Sequence, residues 1–428
     1  DSQIDASAID IGNGGKVVLW SDVHSANSVT AVKGSIYAKG GMNGGNGGWV
    51  ETSGHWLQLG DGVFVSTQAI KGFAGEWLLD PENLFIRDGS WFGSNYSTSG
   101  TTTYTALSAN TGAPLLATGP NGGDTRVQAG GVTVVRTDTI VSGLNSGNVR
   151  IVASGWIDEA GWDTNPYGYT NWHINSTSAN KLTLQAGTSI TLNYGPINLP
   201  NGTLELLAGT TIMHWADGPI TTNTLILGSS DGGASKPVVT LNANNSIANL
   251  QASNLSSLSL TNATALAVNA SNVSVDGAVT LTSASSITLN GNITTSAAGG
   301  DVNITTTGLS GTGGIGLAAG RTLTVSQSGS SAYGGLISGI NSTFTKLGAG
   351  YLGLTNANTY SGGTTLTAGT LGVYNNSALG TGTVNASDGT TLIFGRSVTN
   401  FANNMTLSGS VTFDLDTTVD YLLVGGGG

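Results

Sequence analysis

Acid–base chemistry on a sugar needs two carboxyl groups about 5–10 Å apart across a cleft. The densest acidic groups of this sequence are Asp158, Glu159 and Asp163, and Glu76, Asp80 and Glu82. Neighbours on a strand point to opposite faces, so Asp158 and Glu159 would diverge rather than converge. Glu76 and Asp80 read as carboxylates that satisfy backbone at a turn. The four histidines, His24, His55, His173 and His214, are scattered, with no two at metal-ligand spacing. The absence of cysteine removes disulfides, thiol catalysis and thiolate metal sites. No nucleophile elbow, P-loop or dinucleotide fingerprint is present. Gly44-Gly-Asn-Gly-Gly48 superficially resembles a calcium-binding glycine roll, but the aspartate of that repeat is missing and the unit is not iterated. It reads instead as a tight turn needing positive φ. The expectation is a protein without catalytic residues, metal or cofactor.

Recognition is the better chemistry for these residues. Trp156, Trp162, Tyr167, Tyr169 and Trp172 crowd into one stretch rich in Asp and Asn. Aromatic faces beside amides and carboxylates suit a glycan, a protein contact or plain packing, and all three stay open. Asn-x-Ser/Thr sequons are frequent, for example at Asn175, Asn201, Asn262, Asn269, Asn292, Asn303 and Asn404, candidates for glycosylation in a chain where Asn, Ser and Thr are abundant.

The elements that carry these residues are strands. Only 9% of the chain is charged, against about 25% in ordinary globular proteins. No window approaches the roughly 18–20 apolar residues of a spanning helix. Disorder is excluded because 38% of residues are hydrophobic and recur in short regular runs. Thr, Ser and Asn supply the solvent faces; uncharged, they can stack on copies of themselves without repulsion. A net charge of −11 with no basic patch argues against nucleic acid and for simple solubility.

Runs such as Lys16-Val-Val-Leu-Trp20, Lys181-Leu-Thr-Leu-Gln185 and Ser286-Ile-Thr-Leu-Asn290 alternate apolar and polar residues between Gly, Asn or Asp. They return at roughly 8–12 residues, and pairs of them at roughly 20–24, the period of a solenoid. Helical spacing is absent, so the fold class predicted is all-β with essentially no α-helix, a right-handed parallel β-helix forming an elongated rod. At about 21 residues and roughly 4.8 Å per coil, the chain would make about 20 coils over roughly 95 Å. All nine Trp lie between Trp20 and Trp215, and the stretches least like coils, 88–105 and 155–173, read as inserted loops on one face. The expected segments are 1–87 early coils, 88–220 coils with aromatic-rich loops, 221–340 regular Thr/Ser/Asn coils, 341–420 a further repeat block, and 421–428 the start of a glycine-rich tract. Neither an initiator Met nor a signal peptide opens the chain, which reads as a segment of a longer protein.

Two blocks are more specific. Gly14-Gly-Lys-Val-Val-Leu-Trp-Ser-Asp22, Gly44-Gly-Asn-Gly-Gly-Trp-Val-Glu-Thr-Ser-Gly-His55 and Gly72-Phe-Ala-Gly-Glu-Trp-Leu-Leu-Asp-Pro81 occur in that order. The succession resembles the two-partner-secretion exoproteins, the filamentous-haemagglutinin-like adhesins of Gram-negative bacteria. Lys346-Leu-Gly-Ala-Gly-Tyr-Leu-Gly-Leu-Thr-Asn-Ala-Asn-Thr-Tyr-Ser-Gly-Gly-Thr-Thr-Leu-Thr-Ala-Gly-Thr-Leu371 is similar to the passenger-associated repeat of autotransporters. Val419-Asp-Tyr-Leu-Leu-Val-Gly-Gly-Gly-Gly428 resembles the glycine-rich domains downstream in such proteins. The resemblance implies a β-helix exported through an outer-membrane transporter and displayed on, or released from, a Gram-negative cell. The family's amino-terminal secretion domain is expected to lie upstream of this segment or to have been removed. The expected function is a shaft or binding segment of a secreted surface adhesin, contacting a host or environmental surface or glycan. The alternative is a structural subunit that pairs with copies of itself end to end in an extracellular filament. A polysaccharide-active β-helix enzyme is a distant third.

Overall fold

The computed structural model describes residues 2–25, 28–60, 62–87, 133–159, 174–192, 195–214, 218–269, 272–296 and 299–416. The chain separates into two compact units, Asp1–Ala263 and Thr264–Gly428. Both are built from parallel strands stacked coil on coil, a β-solenoid. The boundary falls well past Trp215, so the change in aromatic content and the division of the fold do not coincide.

The first unit begins with the three glycine-led motifs, and the structure shows what they share. Lys16–Trp20, Trp49–Ser53 and Glu76–Asp80 pair in parallel, with Lys16 opposite Trp49 and Trp49 opposite Glu76. Val17, Val50 and Trp77 thus stack inward as one column. The glycines before each strand let successive backbones touch: a Cβ on Gly48 would lie 2.1 Å from the Gly15 carbonyl oxygen, and one on Gly75 2.0 Å from that of Gly48. Further along, Lys181–Ala186 pairs with Ile197–Ala208 in the register Leu182–Leu204, Leu184–Leu206 and Ala186–Ala208, all buried. Each buried leucine contributes about 1.5–3 kcal/mol relative to exposure, so the core of every coil is a small repeated investment.

Coil length in this unit is uneven. The pairings step from residue 16 to 49, 76, 148 and then, from 149, to 182. These advances far exceed a uniform period of about 21, so there are fewer coils than that period predicts. The stacked turns of the first coils also expose apolar side chains. Asp10, Asn43 and Lys71 link in a column, through Asn43 Nδ2 to Asp10 at 2.6 Å and Lys71 Nζ to Asn43 at 3.5 Å. Beside them Ile9, Ile11, Met42, Ile70 and Phe73 are 66–92% exposed.

One helix departs from the all-strand expectation. Thr137–Leu144 forms a single α-helix among the described residues. Eight residues are too few to display the i, i+3, i+4, i+7 pattern in sequence, and its Thr, Ser and Gly are weak helix formers. Packing decides the matter. Ile140 and Leu144 are buried, and Gly143 sits so close to Val149 and Trp77 that a Cβ there would lie 2.7 Å and 3.0 Å from them.

The second unit is regular. Ser286 faces Gly308, Val302 faces Leu323, Thr322 faces Thr343, Tyr351 faces Thr370, and Thr370 faces Thr391, steps of 19–22 residues. Outward hydroxyls and amides bond along the stack: Thr322 to Thr343 at 3.0 Å, Thr288 to Ser310 at 3.2 Å, Asn290 to Asn269 at 3.1 Å. Buried asparagines do a second job that composition did not reveal. Asn358 accepts the Ile337 N–H at 2.8 Å and donates to the Ala378 carbonyl at 2.6 Å, satisfying backbone where the chain turns. Asn245 does the same in the first unit, for Ile220 N–H and three carbonyls.

Candidate functional site

Of the acidic groups, Glu76 and Asp80 lie on a strand, not at a turn. Asp80 is the more informative. Half-buried on the outer face, it has its carboxyl pushed up to about 6, first by burial and then by the charge of Glu51, against the weaker pull of His24 and Arg150. Glu82 stands apart and pairs with His55, whose Nδ1 lies 3.0 Å from it and 3.0 Å from the Val23 carbonyl oxygen. Asp158 is buried in the strand Ile157–Glu159, opposite Thr191 in the ladder. The side chain of Glu159, and Asp163 and His173 altogether, lie outside the described residues. Among the described residues no three His, Asp or Glu come close enough to hold a metal.

A row of charge continues from Asp80 over the outer face of the first unit. Arg150 donates to Gln185 at 2.6 Å, and its Nε is buried without a hydrogen-bond partner among the described residues. Lys181 and Thr183 both donate to Glu205, at 2.8 and 2.7 Å. Burial would raise the Glu205 carboxyl, but these two donors hold it below its ordinary value. The bonded group of Lys181, Thr183 and Glu205 fixes this part of the face.

Of the aromatic cluster, Trp156 is half-buried, its backbone N–H donating to Asn83 at 3.2 Å just ahead of Ile157–Glu159. Trp162, Tyr167, Tyr169 and Trp172 lie outside the described residues. The sequons divide by burial. Asn175, Asn201, Asn269, Asn292 and Asn404 are exposed and Asn303 is half-buried. Asn262 is 1% exposed, accepting from the Ile247 N–H at 2.8 Å and donating to the Ile247 carbonyl at 3.0 Å. Its amide is part of the core, so in the folded chain it is closed to a transferase.

The second unit contains two arrangements that the sequence reading passed over. Lys346 points inward between Val325 and Leu366 and is fully buried. Its Nζ donates to the carbonyls of Leu347 and Gly348 at 2.7 and 2.8 Å, and burial pulls its ammonium down to about 8. The other arrangement is on the outer face. Gly353, Gly372, Ile393 and Asp414 stack in register. Where the two glycines leave the sheet bare, Tyr351 and Tyr374 lie against it. A Cβ on Gly372 would meet the Tyr351 hydroxyl at 2.5 Å and Tyr374 Cε2 at 2.8 Å; one on Gly353 would meet the same atoms at 2.7 and 3.2 Å. Tyr351 donates to the Tyr374 hydroxyl at 2.7 Å. Burial, the Tyr351 hydrogen bond and a hydrogen bond to Asp416 all raise the Tyr374 phenol. Tyr351, Tyr374, Ile393, Arg396, Asp414 and Asp416 line a surface cleft of about 870 Å³. The signal was present in sequence: Tyr351-Leu-Gly-Leu354 and Thr370-Leu-Gly-Val-Tyr374 put glycine at an outward strand position in successive coils. A glycine inside a strand marks a place where something else approaches the backbone.

Comparison with protein families matches residues 344–373 to the passenger-associated-transport-repeat. That stretch runs through Phe344, buried Lys346, Gly353 and Gly372 to Val373. No curated protein matches the chain. The repeat together with the β-solenoid fits a secreted passenger segment of autotransporter or adhesin type. Among the described residues no helix is long and apolar enough to cross a membrane.

Proposed function

We propose that the chain is the β-solenoid passenger segment of a Gram-negative surface adhesin, non-enzymatic, exported through an outer-membrane transporter and displayed to bind a host or environmental surface. The observation that carries this reading is the passenger-associated repeat folded as in-register solenoid coils. A stack of short parallel strands suits export in an extended state, because each coil adds its own buried residues to the last and folding can propagate. The three glycine-led motifs at the start of the chain support the finer assignment to the filamentous-haemagglutinin-like exoproteins.

The test has two parts. Antibody against the purified chain should label intact producing cells without permeabilisation, and beads coated with the chain should adhere to epithelial or abiotic surfaces. Label confined to permeabilised cells, or beads no stickier than albumin-coated controls, would overturn the reading. A second reading, the filament subunit, draws on the exposed apolar residues Ile9, Ile11, Met42, Ile70 and Phe73, since such patches mark protein contacts. It requires filaments in negative-stain micrographs at raised protein concentration, and their loss in Met42→Asp with Phe73→Asp.

A further inference from the structure

We infer that the Tyr351–Tyr374 cleft of the second unit is a carbohydrate subsite for a neutral pyranose. A strand residue without a side chain leaves a bare strip of backbone, and here two successive coils share that strip at Gly353 and Gly372. Two phenol rings cover it, tied to each other by the Tyr351–Tyr374 hydroxyl bond. The Ser397 hydroxyl also donates to the Tyr374 carbonyl oxygen, anchoring the backbone that bears the second ring. The rings are therefore preorganised, and preorganised aromatic surface loses little entropy on binding.

What surrounds the rings selects the ligand. The CH face of a pyranose packs on an aromatic ring, while its hydroxyls need acceptors and donors at the ring's edge. Asp414 and Asp416 supply carboxylates and Arg396 a guanidinium, all lining the same cleft. Asp414 is exposed, and its Oδ1 accepts the N–H of Leu415 at 2.8 Å, which orients the carboxylate. Two carboxylates against one guanidinium leave the cleft net negative, which disfavours sialic and uronic acids and favours neutral hexoses. The cleft volume of about 870 Å³ accommodates one or two sugar units.

A purely structural role for the tyrosines, shielding glycine backbone from water, makes a different prediction. It needs the rings but not the acids, so the experiment turns on Asp414. The purified full chain is applied to an array of neutral, sialylated and uronic-acid glycans, and the strongest neutral glycan is then titrated by calorimetry. Expected are signals on neutral hexose glycans, weaker ones on their acidic counterparts, and an affinity at least tenfold lower in Asp414→Ala. Tyr374→Phe keeps the ring and loses the hydroxyl link, and it should weaken binding by a smaller factor. Unchanged circular dichroism and thermal transition certify that Asp414→Ala is folded. No array signal from the wild-type chain, signals confined to acidic glycans, or an Asp414→Ala variant that binds as well as wild type would each overturn the inference. The inference rests on the adhesin reading for its biological setting, yet the two fail separately. Beads that adhere equally with and without the Asp414 carboxylate sink the subsite and leave the adhesin. An array-positive chain that never reaches the cell surface does the reverse.

Discussion

The two units solve the same problem with different regularity. In Asp1–Ala263 the coils vary widely in length and the outer face carries Glu51, Asp80, Arg150, Lys181 and Glu205. In Thr264–Gly428 the pairings advance by 19–23 residues and the outer face is mostly hydroxyl and amide ladders. Buried columns of Leu, Ile and Val run through both. The core thus sets the stacking, and the outer face and turns are free to vary around it. The variation is where chemistry collects: a charged row in the first unit, and in the second a place where glycine interrupts the ladder and tyrosine fills it.

If the cores are equivalent, equal damage should cost each unit equally. Leu204→Ala in the first and Leu323→Ala in the second should each lose about 3 kcal/mol, read by chemical denaturation with a domain-resolved probe such as hydrogen exchange. A large inequality would break the comparison. Next in size is Lys346, the charge that the regular unit hides inside. Its folded-state value of about 8 lies below the ordinary 10.5, so the buried ammonium costs stability below pH 8. Stability of the second unit should therefore rise by roughly 1–2 kcal/mol as pH climbs from 8 towards 10.5. Lys346→Met should flatten that rise, in thermal melts taken across the range.

Asp80 is the counterpart in the first unit, with the opposite pH sense. Its folded value of about 6 exceeds the ordinary 3.8, so the fold favours the protonated acid. Stability should be highest below pH 4 and decline as pH rises through 6. Because the group is partly solvated, about 1 kcal/mol is expected, and Asp80→Asn should remove the decline. The smallest effect is Thr322→Val, which deletes one outward rung bonded to Thr343 and should cost about 0.5 kcal/mol, within reach of a careful denaturant titration. A loss several times larger would mean that the polar ladders, and not only the core, hold the regular unit together.

The strand runs were legible because a half-buried strand writes its burial into alternating residues, as in Lys181–Ala186, where Leu182, Leu184 and Ala186 face inward. The helix Thr137–Leu144 was not legible, since its eight residues acquire helical form from packing on Trp77 and Val149. The burial of Asn262 was not legible for a similar reason: sequence shows an amide but not which backbone groups it serves.

By itself, then, the amino-acid sequence determined the class of fold, the use of parallel stacked strands and the passenger-like repeat, because these depend on local periodicity and on short motifs. It did not determine that Lys346 would point into the core, that Asp80 would meet Glu51, or that Tyr351 and Tyr374 would close over Gly353 and Gly372. Those pairings join residues 19–29 positions apart across neighbouring coils. Only the register of one coil on the next brings them together, and register is set by the whole stack.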